Sequence, residues 1–212
     1  MAKRGSFGIC QLCGARKGKA AMVAHIKSCL VTQPGAGASA GSEVLLLVRA
    51  QASDAPMFWL DLAVKQEAKL KDVDRFLRRI WLECCGHMSE FYGSAHRKVS
   101  MNTKVNEALG SVAERLGYVY DFGSSTELVV RLAATVEGYA KSAVRLVARN
   151  ESPTWPCDVC EEPATAVCTQ CMYEGKGFCC KSHASSHDCG EEMLLPVVNS
   201  PRMGVCGYTG EA

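Results

Sequence analysis

The chain contains 212 residues, including 13 cysteines, and its formal net charge is +2 at pH 7. The N-terminal stretch has no apolar signal segment and no aliphatic run is long enough to span a bilayer, so we expect neither a secreted nor a membrane protein. Outside secreted proteins, closely spaced cysteines indicate metal binding rather than disulfides. We therefore predict a cytoplasmic protein with reduced thiols.

The charge is distributed unevenly along the chain. Residues 1–30 carry six basic and no acidic side chains, whereas residues 151–212 carry three basic and nine acidic ones. A basic end favours an anionic partner such as nucleic acid. The acidic end argues against both ends sharing one nucleic-acid surface.

Residues 1–31 have nearly the ligand spacing of a ββα zinc finger. Cys10-x2-Cys13 is followed, after eleven residues, by His25-x3-Cys29. Two ligands four residues apart lie on one face of a helix. We therefore predict a zinc ion bound by Cys10, Cys13, His25 and Cys29. The alternative is a basic, disordered arm with incidental cysteines.

Three basic residues, Arg16, Lys17 and Lys19, fall just before or at the start of the predicted finger helix. Fingers of the ββα type contact nucleic acid at this position, so these three are the candidate nucleic-acid contacts. The alternative is that they merely solvate a small domain. Residues 32–42 are rich in Gly, Ala and Ser and predict a flexible linker that would let the finger move independently.

Residues 43–151 combine several strand patterns with one clear helix. The helix, at residues 71–83, has apolar side chains at intervals of three and four and acidic residues at its start. The pattern predicts an α+β domain, with a mixed or antiparallel sheet packed on one main helix. Strands are predicted at residues 43–50, 57–64, 88–92, 117–122, 127–136 and 140–148, the last two as a hairpin, with a short helix near 105–109.

The central sequence resembles a known family in its segments FWLDLAV, LKDVDRFLRRIWLECCGHMSEFYG and YVYDFGSSTEL. The resemblance is to the Ri-plasmid open-reading-frame-three-like family and covers roughly residues 43–150. It implies a compact α+β domain found in plasmid, insertion-element and chromosomal proteins, without an established biochemical role. Many members follow YDFG with Asp, an aromatic residue and His, whereas this chain has Ser-Ser-Thr-Glu at residues 124–127. The ending LLPVVNSPRMGVCGYTG also resembles zinc-bearing members of the family.

Two groups in the central region invite a chemical interpretation. Asp121-Phe122-Gly123 has the letters of a kinase motif, but the chain lacks the phosphate loop and the catalytic segment, so we expect the Asp to close a turn. Cys84, Cys85 and His87 could form a fourth metal site or a nucleophile with its base. The favoured interpretation is that Cys84 packs as a small apolar residue at the end of the helix.

Residues 152–192 contain two CxxC pairs followed by a Cys/His tail, which predicts a module with two zinc ions. In a cross-brace, the first ligand pair along the chain shares one zinc ion with the third pair, and the second pair shares the other zinc ion with the fourth. The alternative is a ribbon, in which both CxxC pairs bind the same zinc ion. The spacing resembles MYND and related cross-brace fingers, with His183 where MYND has Cys. The predicted ligand sets are Cys157, Cys160, Cys179 and His183 for one zinc, and Cys168, Cys171, His187 and Cys189 for the other. Cys180 is left over and could replace Cys179.

Residues 193–212 form a C-terminal tail, in which Cys206 has no obvious partner. Taken together, the patterns predict a non-enzymatic protein that holds about three zinc ions and binds a protein partner through its C-terminal module. Nucleic-acid binding through the N-terminal finger is the alternative function. An enzyme in the central domain is the least favoured reading, because no small-molecule site is evident and each predicted zinc has four protein ligands.

Overall fold

The computed structural model describes residues 6–32 and 42–210. The described residues form two compact units, one within the ranges Met1–Phe76 and Met88–Glu151 and the other within Leu77–His87 and Ser152–Ala212. The protein is α+β, with a large antiparallel sheet and few helices. The predicted linker, apart from its two end residues, lies outside the described residues. No helix in the described ranges is both long and apolar enough to cross a membrane.

The first unit is built on a nine-stranded sheet in which every pairing is antiparallel. The strand order is β2-β1-β9-β4-β3-β8-β7-β5-β6. The two edge strands are only three and two residues long, which limits the unpaired backbone at each edge. The strands are β1 Phe7–Cys10, β2 Arg16–Gly18, β3 Glu43–Ala52, β4 Trp59–Lys65, β5 Ser89–Tyr92, β6 Lys98–Val99, β7 Arg115–Tyr120, β8 Thr126–Gly138 and β9 Val144–Asn150.

The predicted hairpin of residues 127–136 with 140–148 is wrong. β8 pairs with β3 and β7, whereas β9 pairs with β4 and β1. Two strands therefore lie between β8 and β9 in the sheet. β3 and β4 are buried along almost their whole length, as strands covered on both faces are, and they occupy the centre of the sheet.

The helices are short apart from the one in the finger. α1 spans Lys19–Thr32, α2 spans Leu70–Leu77 and α3 spans Val105–Ala108. The predicted main helix at residues 71–83 is present as α2, followed by a π-helical turn at Arg78–Leu82. Its apolar stripe is buried, as the spacing predicted.

The N-terminal finger is part of the first unit's core. β1 extends the large sheet by pairing with β9, with Gly8 opposite Asn150. On α1, Met22, Ile26 and Leu30 are buried in the same apolar cluster as residues of β3, β4, β8 and β9. We expected an independently moving finger, but the structure shows a finger that shares both a sheet and a core with the central domain.

The close approach of β1 to the sheet depends on a glycine. A Cβ at Gly8 would lie 2.5 Å from both the Trp59 ring and the Arg149 carbonyl oxygen. Trp59 is completely buried, and its indole N–H donates a hydrogen bond of 2.6 Å to Ser6 Oγ. Any side chain at position 8 would therefore push the finger off this tryptophan.

The second unit has a small antiparallel sheet of three strands, in the order β11-β10-β12. Because β12 pairs with β10, the C-terminal tail is built into this unit. Its regular elements are short, as in a module with little apolar sequence. They are the π-helical turn Arg78–Leu82, β10 Ala166–Cys168, β11 Phe178–Cys179, α4 Lys181–Ala184, β12 Leu194–Pro196, and 3₁₀ turns at Cys171–Glu174 and Glu191–Met193.

Candidate metal centres

Four Cys/His quartets lie in the part of the chain that the structure describes. Within each quartet the four potential ligand atoms all lie within 4.8 Å of one another. A tetrahedral zinc ion with bonds of about 2.3 Å to sulfur would hold two sulfurs about 3.8 Å apart, so the donors are close enough to share an ion. The quartets are Cys10, Cys13, His25 and Cys29; Cys84, Cys85, His87 and Cys206; Cys157, Cys160, Cys180 and His183; and Cys168, Cys171, His187 and Cys189.

The finger quartet contains all four of its predicted ligands. Cys13 Sγ lies 3.2 Å from His25 Nε2 and 3.5 Å from Cys29 Sγ, and Cys29 Sγ lies 3.3 Å from His25 Nε2. His25 and Cys29 stand one turn apart on α1. The turn after β1 brings the first pair of cysteines to them, closed by a 2.8 Å bond from the Gly14 N–H to the Cys10 carbonyl.

The finger thiols differ in acidity. A hydrogen bond from the backbone N–H of Ala15 lowers the pKa of Cys13, whereas burial raises the pKa of Cys29 to about 12. A buried thiol of this kind becomes a thiolate when a cation compensates its charge. Metal binding at the finger therefore requires the release of a proton from Cys29.

The first quartet of the C-terminal module combines a CxxC turn with the start of α4. Cys160 Sγ lies 3.7 Å from Cys180 Sγ, which in turn lies 3.3 Å from His183 Nδ1. Cys157 Sγ completes the group at 3.6 Å from His183 Nδ1. The backbone N–H of Cys180 lowers the pKa of Cys157 to about 6, so this thiol ionises readily.

The prediction that Cys179 is a ligand of this quartet is wrong, because Cys180 occupies the position. Successive side chains of an extended chain point to opposite faces, so only one of two adjacent cysteines can face a given quartet. Cys180 immediately precedes α4, three residues from His183. Cys179 ends β11 and is buried, with its sulfur 3.7 Å from both the Gly177 carbonyl oxygen and His187 Nδ1.

The second quartet of the module again contains all four predicted ligands. Cys171 Sγ lies 3.6 Å from His187 Nε2 and 3.6 Å from Cys189 Sγ. Cys168, at the end of β10, is completely buried. Because His187 presents Nε2 to this quartet, its Nδ1 is the nitrogen that faces Cys179.

The ligand order along the chain is that of a cross-brace. The first CxxC pair shares its quartet with Cys180 and His183, the third pair along the chain. The second CxxC pair shares its quartet with His187 and Cys189, the fourth pair. A ribbon would have placed both CxxC pairs around one ion, and the structure does not have that grouping.

The remaining quartet joins residues that the sequence left apart. Cys84, expected to act only in packing, lies with its Sγ 3.6 Å from that of Cys85. Cys85 Sγ lies 3.0 Å from His87 Nε2 and 3.6 Å from the Sγ of Cys206, for which the sequence offered no partner. His87 Nε2 and Cys206 Sγ are 3.2 Å apart. The CCxH spacing was visible in the sequence, but nothing local pointed to the fourth ligand.

The three candidate nucleic-acid contacts have different environments. Arg16 forms a two-pronged ion pair of 2.6 and 2.9 Å with Glu151, and its guanidinium lies 3.9 Å from the centre of the Phe7 ring. Lys19 Nζ donates to the Pro56 carbonyl at 2.9 Å, and burial lowers its pKa to about 8. Lys17 is exposed. Two of the three side chains are therefore engaged within their own unit.

The Asp121 carboxylate closes a turn, as expected. Its Oδ1 accepts a 2.9 Å hydrogen bond from the Gly123 N–H, and its own N–H donates to the Met88 carbonyl at 2.9 Å. Asp121 is buried and has a φ of 66°, a region in which Asp is tolerated better than most residues. The motif is thus accounted for by local backbone structure.

The described part of the chain therefore contains four Cys/His quartets, each of which could hold a metal ion. No known protein family matches the sequence, and no curated protein is significantly similar to it. Among solved structures, the chain is similar to the protein of unknown function MM3350 from Methanosarcina mazei Go1. That similarity has 15% sequence identity and a TM-score of 0.43, and it covers 51% of this chain and 68% of the other. The resemblance to the Ri-plasmid family stays a prediction.

Proposed function

We propose that this chain is a non-enzymatic zinc protein whose C-terminal module binds a protein partner. The first support is the chemistry of the donors. Three thiolates and one imidazole in a tetrahedral arrangement are a ligand set that favours zinc over magnesium, calcium or manganese. The finger quartet and the two quartets of the cross-brace, with Cys180 in place of Cys179, would each hold one such ion.

The second support is the number of ligands in each centre. Every quartet offers four protein donors, which would complete the coordination of a tetrahedral ion. A catalytic zinc usually has three protein ligands and keeps one position for water or substrate. Saturated centres of this kind serve to fold small modules, so we assign these ions a structural role.

The observation that carries the binding proposal is the exposed surface of the cross-brace. Tyr173 is 77% exposed and Val159 is 69% exposed, although both are adjacent or nearly adjacent to metal-ligand positions. Val159 lies between Cys157 and Cys160, and Tyr173 lies two residues after Cys171. Bound metal would therefore fix the backbone that presents these two apolar side chains to water, which lowers the cost of ordering this surface when a partner binds.

Charge indicates the kind of partner. Between residues 152 and 192 the module has seven acidic and two basic side chains, all of them exposed. Each centre of three thiolates and one zinc ion adds further negative charge. A protein with a basic surface and an apolar contact for Tyr173 would match this module, since tyrosine is often a main contributor to interface energy.

The free thiols favour a reducing compartment. All 13 cysteines lie in the part of the chain that the structure describes, and none of them is joined in a disulfide. Thiolate ligands persist where glutathione and thioredoxin keep cysteines reduced. We therefore propose that the protein acts in the cytoplasm.

A site-specific photo-crosslinking experiment tests the binding proposal. A photoreactive phenylalanine replaces Tyr173 in one full-length protein and Phe122, which is 53% exposed in the first unit, in a matched control. After irradiation in a native lysate, with and without nuclease, we expect a discrete protein adduct from position 173 that position 122 does not give. Equal labelling from both positions, or an adduct that disappears with nuclease, would overturn the proposal. The latter result would instead indicate a nucleic-acid partner.

A further inference from the structure

We propose that Cys84, Cys85, His87 and Cys206 bind a fourth zinc ion, which fastens the C-terminal segment to the end of the π-helical turn. All four ligand atoms lie within 4.8 Å of one another, and all four residues belong to the second unit. Cys85 Sγ and Cys206 Sγ lie 3.0 and 3.2 Å from His87 Nε2, and the Cys84–Cys85 and Cys85–Cys206 sulfur pairs are each 3.6 Å apart. These separations match those in the other three quartets.

The backbone on both sides of the quartet is shaped to bring the ligands together. Gly86, between Cys85 and His87, has a φ of 83°, a conformation that glycine adopts without strain. Cys206 has a φ of 50°, a conformation that non-glycine residues adopt only where their surroundings impose it. Such backbone at a ligand position is typical of a built site rather than of a chance encounter between exposed side chains.

Contacts outside the quartet hold the two segments against each other. Ser200 Oγ donates a 2.6 Å hydrogen bond to the Trp81 carbonyl, and the Trp81 indole N–H donates a 3.1 Å bond to the Asn199 carbonyl. Further along, Tyr208 is buried with its hydroxyl 3.5 Å from the Ile80 carbonyl. Cys206 is therefore carried to the CCxH turn by packing that does not itself need the ion.

The charge around the quartet also fits a bound metal. Arg202 is completely buried, and one of its terminal nitrogens lies 3.4 Å from Cys84 Sγ. A guanidinium is attracted to negative charge in its neighbourhood. Three thiolates around one zinc ion carry a net negative charge, whereas three neutral thiols would carry none.

A disulfide does not account for this arrangement. The Sγ atoms of Cys85 and Cys206 are 3.6 Å apart, far beyond the length of about 2.05 Å of a disulfide bond. His87 Nε2 lies within 3.2 Å of both Cys85 Sγ and Cys206 Sγ, which is the position of a shared ligand. Two exposed cysteines also leave the site open to an arriving ion.

The test counts metal ions in the full-length protein, purified with a reductant. We expect four zinc ions per chain by elemental analysis, three in Cys206→Ser and three in His87→Ala. His87→Cys keeps four donors and should retain four ions, and Cys179→Ser serves as a matched cysteine control that also retains four. Circular dichroism shows whether each variant is folded.

A second measurement on the unmodified sequence keeps the inference testable should the variants fail to fold. After exchange with ¹¹³Cd, the wild-type protein should give four cadmium NMR resonances. Each should have a chemical shift typical of cadmium bound by three sulfurs and one nitrogen. Three resonances with three ions per chain would overturn this inference and leave the three proposed zinc centres in place. A Cys85–Cys206 disulfide detected by mass spectrometry in the reduced preparation would overturn it as well.

Discussion

Arg49 and Asp61 form a buried ion pair with two hydrogen bonds of 2.7 Å. The two residues lie opposite each other on β3 and β4, and their side chains are 4% and 0% exposed. The same guanidinium donates a third bond of 3.0 Å to the Lys19 carbonyl, at the first residue of α1. One arginine in the middle of the sheet thus also fixes the start of the finger helix.

We expect Asp61→Asn to destabilise the first unit strongly. Removing one partner of a buried pair leaves the other charge uncompensated, at a cost of about 3–5 kcal/mol. Glu43→Gln is the control, because its pair with Lys65 is about one-third exposed and exposed pairs contribute about 0–1 kcal/mol. Urea denaturation of the metal-loaded proteins measures both. If the two variants lost the same free energy of unfolding, Arg49 and Asp61 would not be a pair whose burial makes it costly to break.

Deleting residues 1–32 should unfold or aggregate the central domain. Without α1, the cluster that includes Leu45, Trp59 and Val136 loses the apolar side chains that cover it. The measurement is the thermal transition and the solubility of the truncated chain. Lys17→Glu, an exposed charge reversal in the same segment, should leave the transition unchanged. A truncated chain with a native transition would show that the finger is an independent module.

Cys168→Ser should release both metal ions of the cross-brace. The loop between the first and third ligand pairs contains the second pair, so loss of either ion frees backbone that the other site needs. Structural zinc contributes about 10–16 kcal/mol in small modules, more than packing could replace here. Elemental analysis and limited proteolysis should show residues 157–189 melting together while the first unit stays folded. A Cys168→Ser protein with a fully occupied Cys157 site would refute this coupling.

The adjacent cysteines of the module should behave differently. Cys180→Ser removes a donor from the quartet of Cys157 and should lower the zinc content. Cys179→Ser removes a buried sulfur outside that quartet and should keep the zinc content of the wild type. Elemental analysis of the two variants compares them directly, and the opposite outcome would restore Cys179 as the ligand.

Lys19→Met should alter how stability depends on pH. Burial lowers the pKa of Lys19 from 10.5 to about 8, so between these values the unfolded chain binds more protons than the folded one. The free energy of unfolding of the wild type should therefore rise, relative to that of Lys19→Met, between pH 8 and pH 10. Urea denaturation at both pH values measures this, with the exposed Lys17→Met as control. If the difference in free energy of unfolding between wild type and Lys19→Met were the same at pH 8 and pH 10, the pKa of Lys19 would not be lowered.

The ion proposed at Cys206 should be the first to leave. Cys85 and Cys206 are exposed, whereas none of the ligands in the Cys168 quartet is. A colour-forming zinc chelator should therefore remove about one ion per chain in a fast phase, since access governs exchange at thiolate sites. Cys206→Ser should lack that phase. Loss of all ions at one rate would speak against a separate fourth centre.

Local patterns in the sequence were sufficient to identify most members of the four Cys/His quartets. His25 and Cys29 are four residues apart on one helix, and each CxxC is a single turn, so spacing alone identifies them. The choice between Cys179 and Cys180 depends on where β11 ends and α4 begins. The spacing of the cysteines in the sequence does not show this. Cys206 meets Cys85 across 121 residues, and no local pattern encodes such a contact.

The same distinction holds for the fold. The apolar stripe of α2 is a local signal, and the helix was predicted nearly at its observed position. The neighbours of β8 and β9 are set by long-range pairing, because β3 and β4 occupy the space between them. A hairpin was the simplest interpretation of two successive strands, and it failed since the buried β3 and β4 pair with them instead.

The pairing of Gly8 with Asn150 also sets an order of events during synthesis. The finger is translated before every other strand of the sheet described here and has all four of its quartet residues within twenty residues of chain, so it could take up an ion before β9 is made. However, β1 can join the sheet only by pairing with β9, which is translated more than a hundred residues later. Until then Met22, Ile26 and Leu30 have no sheet to cover them. The nascent chain thus passes through a stage with an exposed apolar helix, during which a chaperone would have its clearest target.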